Sequence, residues 1–229
     1  NAEGTTVLSA NDGYWKGKPG LAGVEMPGLA DAQARVLALQ SGQVDLLLDA
    51  TSAQTELFAG DGNFVVLTFP SGRWATLIMR TDTPPFDDVR VRQAIRLAAD
   101  RQQLIDLVVN GAGVVTCDTP VAPTDIYRLD GDCPQDIEGA KALLTEAGYP
   151  DGLDVTLYTS DGFGFLVPLA EVYQQQAAAA GINVTLEIAP PDSYWSEVWL
   201  VEPFIASFWA ERPADEILNL NWRSTAPWN

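Results

Sequence analysis

The sequence contains no histidine among its 229 residues. Without imidazole there is no Ser-His-Asp or Cys-His nucleophile, no His-ligated zinc and no ordinary proton shuttle at physiological pH. Cysteine is nearly absent too: Cys117 and Cys133 are the only two, too few to form a structural zinc site. Basic residues are scarce, with 13 Lys+Arg against 31 Asp+Glu, a formal charge of -18 and a pI near 4.1. So acidic a surface repels phosphate backbones and anionic headgroups, which argues against a nucleic-acid partner and against direct lipid binding. No apolar run approaches the ~18–20 residues that span a bilayer. Asn1 opens a polar stretch with neither the basic start nor the apolar core of a signal peptide. The numbering is therefore expected to begin inside a longer precursor.

What is present is an ordinary globular balance. Hydrophobic residues make up 47% and charged residues 19%, enough for a sizeable core in one large or two smaller domains. Gly, Pro and Asp crowd the segment between the two cysteines. A disulfide there would close a loop of about fifteen residues and contribute roughly 3 kcal/mol. We expect this bridge, which an exported protein permits; the alternative is two unrelated buried thiols.

Periodicity and turn signals predict alternating helices and strands. Strands are expected at residues 5–10, 44–48, 64–69, 74–79, 153–159, 182–188 and 204–209. A helix follows Asp31, another is capped by Thr51 or Ser52, and Asp87-Asp88 opens an amphipathic helix with Val91, Ala94, Ile95 and Ala98 as its apolar stripe. Asp100 is expected to cap a helix over residues 101–110. Further helices are expected over 135–147 and 163–180, and around Tyr194, Trp195 and Trp199. Residues 111–133 read as a long irregular stretch, of the kind that is usually functional or stapled. The alternation argues for an α/β fold with parallel strands.

Several constellations have both a chemical and a plain structural reading. The acid pairs Asp87-Asp88 and Asp45/Asp49 could serve as general acid and base, but acids at a helix start are better explained as caps. Asp130-Gly131-Asp132 resembles part of a calcium loop and lacks its distal Glu. Gly162-Phe163-Gly164 precedes a helix without the remainder of a nucleotide fingerprint, so a ligand-facing loop centred on Phe163 is expected. Trp195 and Trp199, four residues apart, share a helical face and are expected in the core. Trp209 ends a strand and is followed by Ala210, Glu211 and Arg212. Ligands of open α/β sheets lie beyond strand carboxyl ends, and an aromatic wall beside a carboxylate and a guanidinium suits a polar or zwitterionic solute.

Four segments resemble the extracellular solute-binding proteins of family 5, the peptide-, dipeptide- and nickel-type receptors of ABC importers. Residues 11–19, Asn-Asp-Gly-Tyr-Trp-Lys-Gly-Lys-Pro, are similar to an Asn-x-x-Tyr-Trp-x-Gly-x-Pro segment of that family. Residues 34–45 resemble its helix-to-strand unit. Residues 85–95, Pro-Phe-Asp-Asp-Val-Arg-Val-Arg-Gln-Ala-Ile, resemble its Pro-Phe-x-Asp-x-Arg-Val-Arg-Gln-Ala signature, and residues 140–152 match a further block. The resemblance implies a periplasmic-binding-protein-like α/β fold of class II, peptide-binding type, of which this chain is an incomplete middle portion. Residues 1–71 would be the edge of the first lobe and residues 72–229 most of the second, incomplete at its C-terminus.

The family's ligand segment often reads Trp-x-Ala-Asp-Tyr. Its counterpart here runs Phe208-Trp209-Ala210-Glu211-Arg212, and the acidic position falls on Glu211 or on Asp215. The expected solute contacts are Trp209, Glu211, Arg212, Asp215, Trp74 and Phe163. The resemblance implies a non-enzymatic, periplasmic or cell-surface receptor that binds a peptide or similar small polar solute without cofactor. Its partners would be the transmembrane subunits of a permease, and it would touch the membrane only through that permease or through a lipid anchor outside this sequence. The alternative from residue chemistry is an acid-rich hydrolase using paired carboxylates.

Overall fold

The computed structural model describes residues 4–29, 31–48, 50–69, 71–129 and 131–228, the Ser52 side chain excepted. The chain divides into two compact units, Asn1–Phe64 and Val65–Asn229. Asp49, Pro70 and Asp130 lie outside the described residues, and with them the Asp45/Asp49 pair, the first residue of the turn before Gly72 and the calcium-like tripeptide.

In the first unit, strands β1 (Thr5–Ser9) and β2 (Gly23–Pro27) form an antiparallel hairpin with Thr5 opposite Pro27. β2 was not expected. Helix α1 (Ala32–Gln40) starts at Asp31, whose carboxylate accepts the Ala34 N–H at 2.7 Å. Helix α2 (Ser52–Glu56) starts with a reciprocal capping box. The Gln54 N–H donates to Thr51 Oγ1 at 3.2 Å and the Thr51 N–H to Gln54 Oε1 at 2.9 Å.

Two expected strands are absent. Residues 44–48 and 64–69 have no regular secondary structure. Leu48 is 65% exposed and Val65 81%. An apolar run becomes a strand only where a neighbouring strand accepts and donates its main-chain hydrogen bonds, and neither run has such a neighbour among the described residues.

The second unit is built on a four-stranded sheet in the order β3-β6-β4-β5. Its strands are β3 (Trp74–Met79), β4 (Leu153–Ser160), β5 (Ile182–Ala189) and β6 (Phe204–Trp209). β4 runs parallel to β5 and to β6, whereas β3 is antiparallel to β6. The sheet is thus mixed rather than purely parallel, a common arrangement for an edge strand.

Helix α3 (Val89–Leu97) is capped by Asp88, which accepts the Arg90 N–H at 2.8 Å and also binds the Arg90 guanidinium. The acid pair therefore resolves into one capping residue, Asp88, as the helix-start reading required. Helix α4 (Arg101–Val108) is capped by Asp100 and helix α5 (Ile137–Glu146) by Asp136. Gly148, at φ +96°, occupies the left-handed position that follows α5. Helix α6 (Leu166–Ala178) lies against β4 and β5. The core joins the expected stripe of α3 to Ala140 and Leu144 of α5, to Leu166, Ala170 and Tyr173 of α6, and to Leu157, Phe204 and Ala206 of the sheet.

A smaller apolar cluster of Tyr194, Val198 and Ile205, with Tyr158 and Trp199 against it, covers the other side of the sheet. It is held by α7 (Pro191–Ser193) and a π-helical turn, Tyr194–Val198, where an α-helix was expected. Helix α8 (Ala214–Asn221), also unforeseen, closes the described unit. Residues 111–129 and 131–133 are irregular, and Cys117 and Cys133 are joined by a disulfide with Cα atoms 5.3 Å apart.

Candidate functional site

The parallel strands β4 and β6 end, and the antiparallel β3 begins, at one edge of the sheet. Period-two alternation and the β3–β6 register place Trp74 directly opposite Trp209 on that edge. Their rings stack with centroids 6.4 Å apart and planes 21° from parallel. Trp209 also meets Trp199 at 5.7 Å and Trp228 at 5.2 Å, both edge-on, while Trp74 meets Trp222 at 6.3 Å.

The network continues through Trp195, 5.7 Å from Trp199 and 5.6 Å from Phe163. Phe163 lies 4.8 Å from Phe208, which Phe165 also meets at 5.6 Å. The Arg73 guanidinium sits 5.6 Å from the centre of the Phe208 ring. Nine aromatic rings thus form a connected surface at the strand carboxyl ends, one pair stacked and the others tilted or edge-on, geometries that ring quadrupoles favour.

The π-helical turn presents two of these rings. Burial pushes the Tyr194 phenol well above its ordinary pKa, so it stays neutral and donates to the carbonyl of Ala206 in β6. That bond fixes the turn to the sheet. The extra residue of a π turn still leaves Trp195 and Trp199 side by side; Trp195 is 43% exposed, while Trp199 is partly buried against the Tyr194, Val198 and Ile205 cluster. The expected burial is corrected for Trp195, which faces the aromatic surface, and holds in part for Trp199, which joins that surface to the cluster beneath it.

Of the six expected contact residues, the sheet edge brings together Trp74, Trp209 and Phe163, the last through Phe208 and Trp195. Glu211 lies two residues beyond Trp209, and its Oε2 accepts the Gly72 N–H at 3.1 Å. Arg212 turns away into an ion pair with Glu216 one turn along α8. Glu211, Arg212 and Pro213 line a cleft of about 400 Å3 whose opposite side is Ala122, Thr124 and Asp125 of the disulfide-closed loop. Asp125 Oδ2 accepts the Ala214 N–H at 3.3 Å, supplying a cap that Pro213 cannot. Asp215 stands exposed in the first turn of α8, and among the described residues its carboxylate is hydrogen-bonded to neither Glu211 nor Arg212.

Sequence reasoning placed Phe208 in the ligand segment but not among the contacts, and missed Arg73, Phe165, Trp222, Trp228 and Gly72. The strand pattern of residues 204–209 could have revealed Phe208; the two late tryptophans carried no spacing signal. Gly162 approaches Pro191 so closely that a Cβ would lie 2.7 Å from the proline Cβ. The glycines around Phe163 thus include one required by packing.

The family model of bacterial extracellular solute-binding proteins, family 5 (Middle), matches residues 1–220. The chain belongs to this family. Family 5 comprises solute-binding proteins of transport systems, and its periplasmic-binding-protein fold is the one described above. Heme-binding protein A of Haemophilus influenzae is 35% identical over 151 residues, 65% of this chain and 27% of that protein. Glutathione-binding protein GsiB of Salmonella choleraesuis is 32% identical over 177 residues, 76% of this chain and 34% of that protein. Among solved structures, AgaA of A. tumefaciens R10 in complex with agropinic acid superimposes with a TM-score of 0.78 at 27% identity, covering 96% of this chain and 46% of that one. The chain therefore spans about a third or less of these two curated relatives and under half of the solved neighbour.

Proposed function

We propose that this family 5 chain is part of the extracytoplasmic receptor of an ABC importer, binding a peptide or similar small polar solute between two lobes and presenting it to the permease subunits. Residues 72–229 would supply most of the second lobe and residues 1–71 the edge of the first. Binding would favour the closed arrangement, which the permease reads, with no chemical change to the solute.

The observation that carries this reading is the aromatic surface at the strand carboxyl ends, with Glu211 and Arg73 beside it, in a chain of a solute-binding family. Flat rings supply dry contact area, and the two charges orient a solute bearing both an amine and an acid. Of the relatives' solutes, glutathione and agropinic acid are small and polar, whereas the heme named for the Haemophilus influenzae protein is not.

The test is titration of the protein with glutathione, a short peptide and agropinic acid, followed by tryptophan emission and calorimetry. At least one should bind saturably and perturb the emission, and Trp209→Ala should weaken it about tenfold or more, of the order expected for a buried aromatic contact. Binding that is indifferent to both Trp209→Ala and Trp74→Ala would refute the placement of the site.

A further inference from the structure

The contact between Gly72 and Glu211 has a specific geometric origin. Beyond the last ladder pair of Trp74 and Trp209, the same antiparallel register places Gly72 opposite Glu211. There the glutamate side chain lies back across the strand edge, and its Oε2 takes the Gly72 N–H at 3.1 Å in place of a main-chain carbonyl. A Cβ built on Gly72 would lie 2.4 Å from Glu211 Cγ, 2.5 Å from Cδ and 2.6 Å from Cβ. Rotating the glutamate about its first side-chain torsion could move Cγ and Cδ aside. It cannot move Cβ, which the backbone fixes, so any side chain at position 72 forces the two strand ends apart.

The backbone at Gly72 does not itself call for glycine. Unlike Gly148 at +96°, its φ lies outside the left-handed region, so an L-residue could adopt it without strain. What the missing side chain provides is room for the acid. We infer that Gly72 is a positioning residue for the solute site: its bare α-carbon and its N–H hold the Glu211 carboxylate against the strand edge, beside Trp74 and Trp209. The inference rests on the reading that Glu211 meets the solute's cationic group. With Oε2 engaged by the main chain, Oε1 is the oxygen directed to that group.

Two measurements separate the geometry from the role. The first needs no ligand: thermal unfolding of Gly72→Ala, Glu211→Gly and the double variant. Gly72→Ala should lower the midpoint by about 2–4 °C, the shift that ~1 kcal/mol produces in a chain of this size, when Glu211 is present. In the Glu211→Gly background, where all three crowding atoms are gone, it should cost nothing. Equal shifts in the two backgrounds would overturn the inference.

The second compares calorimetric titration of Gly72→Ala and Glu211→Gln with glutathione. Glu211→Gln keeps the shape and the acceptor for the Gly72 N–H while removing the charge. If both variants bind glutathione about tenfold or more weakly, Gly72 acts through Glu211. If only Glu211→Gln weakens binding, the site reading stands and the positioning role of Gly72 is refuted. If neither changes the affinity, Glu211 is not a solute contact and both fall together.

Discussion

Arg80 shows how single side chains set the site from outside it. Its guanidinium donates to Asp82 at 3.0 and 2.8 Å and to the carbonyls of Leu200 and Val201 at 3.2 and 3.0 Å. The end of β3 is thereby tied to the segment that leaves the π turn, just beyond Trp199. The Arg80 hydrogen bond holds the Asp82 carboxyl at a pKa of about 2. Because the folded value lies below the ordinary one, the pair's contribution is complete above the usual carboxylate range and is lost as pH falls toward 2. The Asp82 carboxyl carbon, followed by NMR, should titrate near pH 2 and return to the ordinary range, about 3.9, in Arg80→Ala. An unchanged midpoint would dissolve the pair. At this scale the helix caps Asp31, Asp88 and Asp100 are legible in the sequence, since a cap and its N–H lie within three residues. The buried bond from Tyr173 Oη to the Ile95 carbonyl, 2.9 Å, is not, because its partners are 78 residues apart.

Among the elements, the irregular stretch 111–133 depends most on covalent support. Cys117 and Cys133 close it, and Asp118 accepts from Arg101 at 2.7 Å and from Arg96. Burial alone would raise the Asp118 pKa; the two guanidinium groups outweigh it and hold the carboxyl below its ordinary range. This loop carries Asp125, the cap of α8, and one wall of the cleft beside Glu211 and Arg212. Cys117→Ser with Cys133→Ser should cost roughly 3 kcal/mol in urea unfolding, from the loop entropy returned to the unfolded chain. A loss within error of zero would mean that the arginine–Asp118 contacts hold the loop unaided. The disulfide could be foreseen from two cysteines in a breaker-rich segment. The π turn could not, since α and π turns share the same local pattern.

At the scale of the whole molecule, the break between the two units falls at Phe64 and Val65. The segment after it has no ladder partner among the described residues, with Val65 81% and Phe69 74% exposed. Exposed irregular backbone is where proteases cut. Brief chymotrypsin treatment should therefore cleave first after Leu67, the Phe69–Pro70 bond being resistant, and leave a resistant product containing β3 to α8; first cuts inside residues 74–209 would contradict this sheet. The same segment marks the limit of reading from sequence. Residues 64–69 and 74–79 are both apolar and β-prone, yet only the second is a strand. The sequence by itself determined the helices other than α8 and the π turn, the caps Asp31, Asp88 and Asp100, all four strands of the larger sheet, the disulfide and the family, because each depends on local spacing or on a recurring motif. Only the tertiary structure decided which apolar run found a partner strand, that Trp74 stacks on Trp209, and that Gly72 lies opposite Glu211. Those outcomes are set by register between strands more than a hundred residues apart, which no local pattern encodes.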